Sequence, residues 1–460
     1  MHHAPADLVH RLRLHHQEHV LTGWDTLTTW EQAAFVGQLA GIDLAELDSL
    51  YRRKDEPASA LPPRDRLAPL PVEAAADIPA SAVARGDEAL RNGEVAALVV
   101  AGGQGTRLGF DWPKGMYPVG PVSKAPLFQV HAEKVLALSR RYGAAIPFLV
   151  MTSPATHADT EAFFPEHKFF GLPEDQVTFF TQGTMPAVDL TSGKLLLEKP
   201  GGLVLTPNGH GGTLTALADS GLLADLTNRG VKHVFYFQVD NPLVNICDPG
   251  FLGRHIESGS DASSKVVFKE QPGEKVGVLA LIDGRCGIVE YSDMPAAMAE
   301  ERAADGTLQF RAGNPAIHIF SVPFLERVTT GAGRLAYHLA KKKVPYYDPT
   351  TGETVAPERE NALKFELFIF DALPLAERWL AVSVDRADEF APLKNATGAD
   401  SPEAVRQAQL ARAARWLTAA GVGNPDRHPV EVSPLFALDA AELAAKLPAG
   451  CVIDEPMVLR

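Results

Sequence analysis

The sequence predicts an α/β protein with a mixed central sheet, an N-terminal helical region before it and a small C-terminal domain after it. From about residue 93, short apolar runs alternate with segments of helical spacing. This order implies parallel strands joined by right-handed crossovers. Between residues 265 and 322 the apolar runs follow one another more closely, which predicts an antiparallel or mixed extension of the same sheet.

The first 55 residues are predicted to be largely helical. Leu21, Trp24, Leu27 and Trp30 recur at three-residue steps, which places them on or near one face of a helix. The stretch from 56 to 80 is rich in proline and is predicted to be extended. It either links the helical region to the main domain or lies on that domain as a strap.

The central sheet is predicted to begin with "VAALVVAG", an uninterrupted apolar run typical of a strand that is buried on both faces. A helix follows, because Phe128, Val135 and Leu136 have helical spacing, with Pro126 near the start and Gly143 just past the end. "IPFLVMTS" and, further along the chain, "VKHVFYFQVD" are predicted to be further buried strands.

After about residue 385 the pattern changes to one helix, "SPEAVRQAQLARAARWLTAAG", and a short strand-rich end. The predicted organisation is therefore a helical region with a proline-rich connector at 1–92, a main α/β domain at 93–384 and a small C-terminal domain at 385–460.

Composition narrows the class of protein. The chain of 460 residues is 46% hydrophobic and 22% charged, without an apolar run long enough to span a membrane or a hydrophobic signal core at its start. Its cysteines, Cys247, Cys286 and Cys451, are isolated in sequence, which favours a reducing compartment. A net charge of −14 argues against nucleic-acid binding. We expect a cytoplasmic globular enzyme with no membrane or nucleic-acid partner.

The glycine-rich turn "LVVAGGQGTRLG" at 98–109 follows the first predicted strand. It matches neither the Walker A pattern nor the dinucleotide fingerprint. A tight structural connection is one interpretation. The other is a phosphate-binding turn, because adjacent glycines let backbone N–H groups approach an anion, and Arg107 and Lys114 supply positive charge nearby. The carboxyl end of a strand in an open α/β sheet is where ligands bind.

"AGGQGTRLG" followed by "PKGMYPVG" resembles the nucleotide-binding signature of the UDP-N-acetylglucosamine pyrophosphorylases, in the UTP-dependent sugar-1-phosphate uridylyltransferase (UDPGP type 1) family. The resemblance is strongest from about 97 to 396, and "GGQGTRLG" favours the N-acetylhexosamine branch. It also covers the ordered segments "EHKFFGLPEDQVTFFTQGTMPAVD", "TPNGHGG", "VDNPLV", "VEYSD", "AGNPAIHIFSVPFL" and "APLKNA". It implies a Rossmann-like mixed sheet of the nucleotide-sugar transferase (GT-A-like) type.

The resemblance implies that UTP and N-acetylglucosamine 1-phosphate react to give UDP-N-acetylglucosamine and pyrophosphate. The sugar phosphate would attack the UTP α-phosphorus in line, with Mg²⁺ as cofactor and without a protein nucleophile. A monomer or weak homodimer is expected. Two alternatives stay open: a glucose 1-phosphate or broad-specificity UDP-sugar pyrophosphorylase, and a non-catalytic nucleotide-sugar binding protein.

The catalytic residues implied by the resemblance are Arg107, Lys114 and Lys394. The first two would hold the triphosphate and stabilise the departing pyrophosphate, and Lys394 would hold phosphates at the reacting centre. Asp240, at the end of "VFYFQVD", would bind Mg²⁺, which commonly takes one or two protein carboxylates.

The resemblance also implies two sets of binding residues. Those for the nucleotide are Gly102, Gly103, Gln182, Asn208, Gly209 and Asp240. The Gln182 amide would read the uracil edge, since it offers both a donor and an acceptor. The family's usual Asn-Gly-Asn-Gly-Gly reads Asn-Gly-His-Gly-Gly here, with His210 at the third position. The residues implied to bind the sugar are Asn241, Gly277, Glu290, Asn314 and Phe370.

Overall fold

The computed structural model describes residues 4–55, 61–330, 335–448 and 450–460. Its α-helices are α1 Ala6–Leu14, α2 Thr29–Ala40, α3 Leu44–Arg52, α4 Ala80–Arg91, α5 Leu127–Tyr142, α6 His157–Glu166, α7 Gly212–Asp219, α8 Leu222–Asn228, α9 Pro249–Glu257, α10 Ala296–Ala299, α11 Val322–Thr329, α12 Arg386–Glu389, α13 Pro402–Ala419 and α14 Ala440–Lys446.

The β-strands are β1 Leu67–Pro69, β2 Glu73–Ala74, β3 Val95–Val100, β4 Phe148–Thr152, β5 Val177–Thr181, β6 Thr184–Pro186, β7 Val188–Asp189, β8 Leu197–Lys199, β9 Gly202–Leu203, β10 Leu205–Pro207, β11 His233–Gln238, β12 Ala262–Phe268, β13 Val278–Ile282, β14 Arg285–Val289, β15 Ala312–Gly313, β16 His318–Ser321, β17 His338–Lys342, β18 Tyr346–Asp348, β19 Glu353–Val355, β20 Ala362–Glu366, β21 Trp379–Ser383, β22 Val430–Val432 and β23 Met457–Leu459.

The chain forms two compact units. The larger unit consists of Leu61–Thr181, Thr213–Arg334 and Phe370–Arg460, and the smaller unit of Met1–Ala60, Gln182–Gly212 and Leu335–Ile369. These units are assembled from separated segments, whereas the predicted domains are consecutive stretches. Segments remote in sequence can share one core because strand pairing and burial, rather than chain order, decide which residues pack together.

The larger unit contains a mixed sheet, to which twelve strands of the described chain contribute. Its parallel part runs in the order β11, β3, β4, β5. Every residue of β3 and of β4 is buried, as an all-apolar run predicts for a strand covered on both faces. Helix α5 contributes Phe128 and Val135 to the same core. The helix ends at Gly143, which has a φ of +66°. The predicted α/β class and the parallel strands are confirmed.

The antiparallel extension is also confirmed. Strand β16 pairs antiparallel with β11 and with β12, and β13 pairs antiparallel with β14 and β15. Strand β21 returns parallel to β12. The absence of helical spacing between residues 265 and 289 left room only for short connections, and short connections favour antiparallel neighbours.

The proline-rich stretch lies on the larger unit as a strap where the structure describes it. Strand β1 pairs antiparallel with β13, and β2 pairs parallel with β21. The strap is therefore part of the sheet's edge, which explains why so proline-rich a segment is ordered: an edge strand needs only one side of its backbone for pairing. Residues 56–60 of the predicted connector, like residues 1–3, fall outside the described residues.

The smaller unit packs helices α1 to α3 against short antiparallel sheets. Its core includes Leu12, Trp24, Phe35 and Leu363. The predicted helical character is confirmed, but the predicted stripe is wrong at Trp30, which is 79% exposed. Short 3-10 turns separated by a left-handed Gly23 (φ +84°) carry Leu21 and Trp24, so the three-residue spacing does not lie along one continuous helix.

The C-terminal region has the predicted helix and strands. Helix α13 is followed by the parallel pair β22 and β23, and Leu417, Val430, Leu443 and Ile453 form a small cluster of their own. This region nevertheless belongs to the larger unit. No helix in the described part of the chain has the length and apolar character needed to cross a membrane.

Candidate active site

The glycine-rich turn and Asp240 lie at the same edge of the sheet in the larger unit. Strands β3 and β11 are parallel neighbours with Val100 paired to Gln238, and the Val239 N–H donates to the Val100 carbonyl at 3.0 Å. After each of these two strands the backbone leaves the sheet at its carboxyl edge. This edge is where open α/β sheets bind their ligands, so the predicted placement of the turn is correct.

The loop after Gly102 folds back on itself and brings Lys114 to this edge. The Gly105 N–H donates to the Trp112 carbonyl at 3.0 Å, and the Lys114 N–H donates to the Gly103 carbonyl at 3.0 Å. The Lys114 ammonium consequently lies 3.3 Å from an Asp240 carboxylate oxygen, although the two residues are 126 positions apart. Their side chains are only 19% and 15% exposed, so solvent screens this pair less than a surface pair.

Arg107 is on the same loop, in the 3-10 turn Thr106–Leu108, and its side chain is exposed. Within the described residues its guanidinium forms no hydrogen bond. An exposed guanidinium that is not committed to a protein partner can turn toward an incoming phosphate and donate two parallel hydrogen bonds.

The segment that carries Lys394 is fastened to Asp240 and Asn241. The Leu393 N–H donates to the Asp240 carbonyl at 2.8 Å, which places the exposed Lys394 one residue from the Asp240 backbone. The Asn241 amide donates to the Glu389 carbonyl at 2.7 Å and accepts from the Ala391 N–H at 3.1 Å. Asn241 is only 2% exposed. Both ends of its side chain hold this segment, and the sugar contact that the resemblance implies for Asn241 stays a prediction.

A network of buried charges stabilises the segment that carries Lys394. Lys265 is fully buried and donates to carboxylates of Asp248, at 2.9 Å, and Glu389. Burial opposes the charge of Lys265, but the two carboxylates outweigh it and raise its pKa above the usual value. Glu389 also accepts from the Asn245 N–H at 2.9 Å. Removing one member of such a network leaves an uncompensated buried charge.

Three of the predicted sugar residues lie together in the larger unit. The Asn314 N–H donates to the Gly277 carbonyl at 2.9 Å, and a Cβ on Gly277 would lie 3.0 Å from a Glu290 carboxylate oxygen. A side chain at position 277 would therefore press on Glu290. Phe370, the remaining residue of this set, is half-buried in the 3-10 segment Ile369–Leu375.

The predicted base-reading residues lie together in the smaller unit. Strands β6 and β10 are antiparallel, and the Asn208 N–H donates to the Gly183 carbonyl at 3.0 Å, which sets Asn208 beside the residue that follows Gln182. The Asn208 side-chain oxygen is buried without a hydrogen-bond partner among the described residues. Such an orphaned acceptor is costly unless a ligand or water satisfies it. His210 accepts from the Ile369 N–H at 3.2 Å through Nδ1.

Gly209 has no room for a side chain. Its φ is +84°, and a Cβ there would lie 2.4 Å from the Leu367 carbonyl oxygen. We predict that Gly209→Ala destabilises the smaller unit by about 1–3 kcal/mol more than Gly352→Ala, because both strain a left-handed backbone but only Gly209 also overpacks. Gly352 belongs to the same unit, at φ +75°, and its nearest atom is 3.9 Å from the built Cβ. Urea unfolding of both variants measures the difference, and equal losses would contradict the steric argument.

Two structural residues escaped the sequence analysis. The Ser153 hydroxyl donates to the Gly102 carbonyl at 2.8 Å and so fixes the start of the glycine turn. The sequence signal for Ser153 was a polar residue directly after the apolar strand in "IPFLVMTS", where parallel strands present side chains to a ligand. The signal for Lys265 was its own charge inside the otherwise apolar run "SKVVF", because a buried lysine needs a buried partner.

The donor set at the sheet edge suits a divalent cation held mainly by its substrate. No cluster of three or more His, Cys, Asp or Glu side chains in the described residues is placed to hold a metal ion. Asp240 supplies one hard carboxylate, and Mg²⁺ in phosphate-binding sites commonly takes one or two carboxylates and completes its shell with phosphate oxygens and water.

This chain is related to known proteins both in sequence and in structure. Residues 64–411 match the family described as UTP–glucose-1-phosphate uridylyltransferase. The UDP-N-acetylglucosamine pyrophosphorylase of Saccharomyces cerevisiae is 43% identical over 357 residues, 76% of this chain and 75% of that protein. The human UDP-N-acetylhexosamine pyrophosphorylase-like protein 1 is 40% identical over 443 residues, 92% and 87% of the two chains. The crystal structure of the Trypanosoma brucei uridine diphosphate N-acetylglucosamine pyrophosphorylase with an inhibitor superposes with a TM-score of 0.80 at 29% identity, covering 96% of this chain and 95% of that one.

Proposed function

Because this chain belongs to the UTP–glucose-1-phosphate uridylyltransferase family, we propose that it joins UTP and N-acetylglucosamine 1-phosphate to give UDP-N-acetylglucosamine and pyrophosphate. The observation that carries the proposal is the Lys114–Asp240 pair at 3.3 Å beside the glycine turn. A cation and a carboxylate of the kind that Mg²⁺ prefers lie there, at the edge of the sheet where ligands bind in open α/β proteins. The sugar assignment follows the names of the relatives that are 43% and 40% identical.

In the proposed reaction a phosphate oxygen of the sugar phosphate forms a bond to the α-phosphorus of UTP. The bond from that phosphorus to the bridging oxygen breaks on the opposite side, and pyrophosphate leaves with the electron pair. Lys114 and Arg107 offset the negative charge that accumulates on the phosphates. Lys394 acts likewise, held near Asp240 by the Leu393 hydrogen bond. Charge stabilisation and in-line positioning are sufficient for this chemistry.

Asp240 is the proposed ligand of Mg²⁺, which when bound would neutralise phosphate charge as a Lewis acid. The pairing with Lys114 fixes the position of the carboxylate before substrate arrives. Arrival of the triphosphate gives the Lys114 ammonium a second anionic partner, so the same residue can bind phosphate while Asp240 turns its oxygens to a metal ion.

We further propose that Gln182 and Asn208 read the uracil base, and that Gly209 allows the close backbone approach this requires. The orphaned Asn208 oxygen supports this role, because it is an acceptor ready for an N–H of the base. For the sugar, Glu290 and Asn314 bond hydroxyl groups beside Gly277, while Phe370 contacts the acetamide. A cytoplasmic location and a monomeric or weakly dimeric state complete the proposal.

The choice of sugar gives a direct test. We expect kcat/KM for N-acetylglucosamine 1-phosphate to exceed that for glucose 1-phosphate by about 10- to 200-fold, the range that a few pocket contacts supply. The measurement is pyrophosphate release with UTP and Mg²⁺, across a panel of sugar phosphates that includes the galacto epimer. Equal values for the two sugars would favour broad specificity, and no turnover with any sugar would favour a binding protein.

A further inference from the structure

The larger unit contains a cavity of about 230 Å³ whose walls include none of the residues to which the proposed function gives a role. Helix α5, the segment after Asn241, helix α13 and the C-terminal residues 431–440 surround it. Apolar walls come from Leu138, Leu243, Trp416 and Ala437, while Lys134 and Arg412 contribute positive charge. A cavity with apolar walls and a few convergent polar groups is the usual form of a small-molecule site.

Lys134 and Arg412 donate hydrogen bonds to backbone carbonyls, and the Arg412 guanidinium also lies over the Trp416 ring, 5.2 Å from its centroid. Lys134 is 6% exposed, and its ammonium donates to the Pro242 and Val244 carbonyls at 2.6 and 2.7 Å. Arg412 is half-buried and donates to the Leu243 carbonyl at 2.9 Å and the Asp388 carbonyl at 3.3 Å. Within the described residues neither cation forms an ion pair with a carboxylate. Buried charges normally have such a partner, whereas here Glu389 and, for Arg412, Asp388 act on these cations without forming an ion pair with them.

The acidic groups that line the cavity are already engaged elsewhere. Asp388 pairs with Arg415 at 2.5 Å, and Asp439 pairs with Arg141 at 2.9 Å. Glu389 accepts from Lys265 and from the Asn245 N–H, and Glu431 accepts from the N–H groups of Val122 and Ser123 at 2.8 and 2.7 Å. Each carboxylate in the cavity wall therefore already has another partner, whereas among the described residues Lys134 and Arg412 have no carboxylate at ion-pair distance.

The ionisation of the two cations agrees with this imbalance. Burial, reinforced by Arg412 and Lys265 and opposed by Glu389, lowers the pKa of Lys134 well below its usual range. Burial likewise lowers the pKa of Arg412 to about 10, against the opposing charges of Glu389 and Asp388. An anion placed between them would favour the protonated lysine.

From this geometry we propose that the cavity is a second anion-binding site, which takes inorganic phosphate or a small phosphate monoester. Lys134 and Arg412 bind the phosphate group, and the Trp416 and Leu138 side accommodates the remainder of an ester. The carbonyls that the two cations now hold belong to residues 242–244 and 388, on either side of the Asn241 tie, so an occupant of this site contacts the scaffold of Asp240. Binding itself does not depend on the proposed function.

The site is tested by titrating inorganic phosphate, and glycerol 3-phosphate as the monoester, into the full chain by calorimetry. Phosphate binding is expected to weaken by at least about tenfold in Arg412→Gln and to persist in Lys114→Ala. Loss in Lys114→Ala with retention in Arg412→Gln would assign the phosphate to the proposed active site and overturn the proposal. If inorganic phosphate binds and glycerol 3-phosphate does not, the site takes only the free ion.

Tryptophan fluorescence keeps the test independent of folding defects in the charge variants. Trp416 lines the cavity, whereas Trp112 is exposed on the glycine-rich loop. The phosphate-induced change in emission is expected to disappear in Trp416→Phe and to remain in Trp112→Phe; the reverse result would refute the site.

Discussion

Replacing Lys114 with alanine is expected to lower kcat by about 10²–10³-fold, the usual effect of removing one preorganised group that stabilises developing charge. The ammonium is held beside Gly103 by the loop that closes at 103–114, and it lies 3.3 Å from Asp240. The alanine variant loses this charge at the phosphates, where it acts more strongly in the transition state than in the ground state. The KM for UTP is therefore expected to change less than kcat. Steady-state rates with saturating Mg²⁺ measure both constants.

The matched control is Lys343→Ala, which removes the same charge from an exposed position in the smaller unit. Its activity should stay within about twofold of the original chain, since solvent and salt screen an exposed charge. Lys114→Arg tests geometry, because a planar fork cannot replace a compact ammonium at one point. Equal rates for Lys114→Ala and Lys343→Ala would remove Lys114 from the catalytic set.

The strands of the larger unit could be predicted because their signal is local. Val95 to Val100 and Phe148 to Thr152 are continuous apolar runs, and the structure buries all of them. The ends of these runs also indicated where the glycine turn and Asp240 would lie, since parallel strands align their carboxyl ends. The contact between Lys114 and Asp240 was not predicted, because the two residues are 126 positions apart; the family resemblance implied only a role for each of them.

The features that sequence reasoning missed depend on tertiary partners. Trp30 has the spacing of a buried residue, yet it lies at the start of a separate helix, α2, and is exposed. The hydrogen bonds of Asn241 with Glu389 and Ala391 were also not predicted, because these partners come from a segment about 150 residues away. The smaller unit joins three separated segments, and no composition change in the sequence marks 182–212 or 335–369 as parts of one core.

Replacing Asp240 with asparagine is expected to lower activity at 1 mM Mg²⁺ by about 10²-fold and to raise the Mg²⁺ concentration needed for half-maximal rate. Asparagine keeps the shape of the side chain and an acceptor for Lys114, but it removes the charge that a hard cation requires. The measurement is rate against MgCl₂ concentration for both proteins. Asp65→Asn, a change at an exposed carboxylate of the same unit, should leave the profile unchanged. An unaltered metal profile in Asp240→Asn would exclude this carboxylate as the metal ligand.

The same variant also loses its ion pair with Lys114, so a lower rate has two possible origins that a double-mutant cycle separates. If Asp240 acts only by orienting Lys114, then Asp240→Asn should cost nothing further once Lys114 is alanine, and the double variant should match Lys114→Ala. If Asp240 also binds Mg²⁺, the double variant should be slower than either single variant and should retain the raised Mg²⁺ requirement. The second outcome is expected, because the Asp240 side chain is 15% exposed and keeps surface that a ligand can contact.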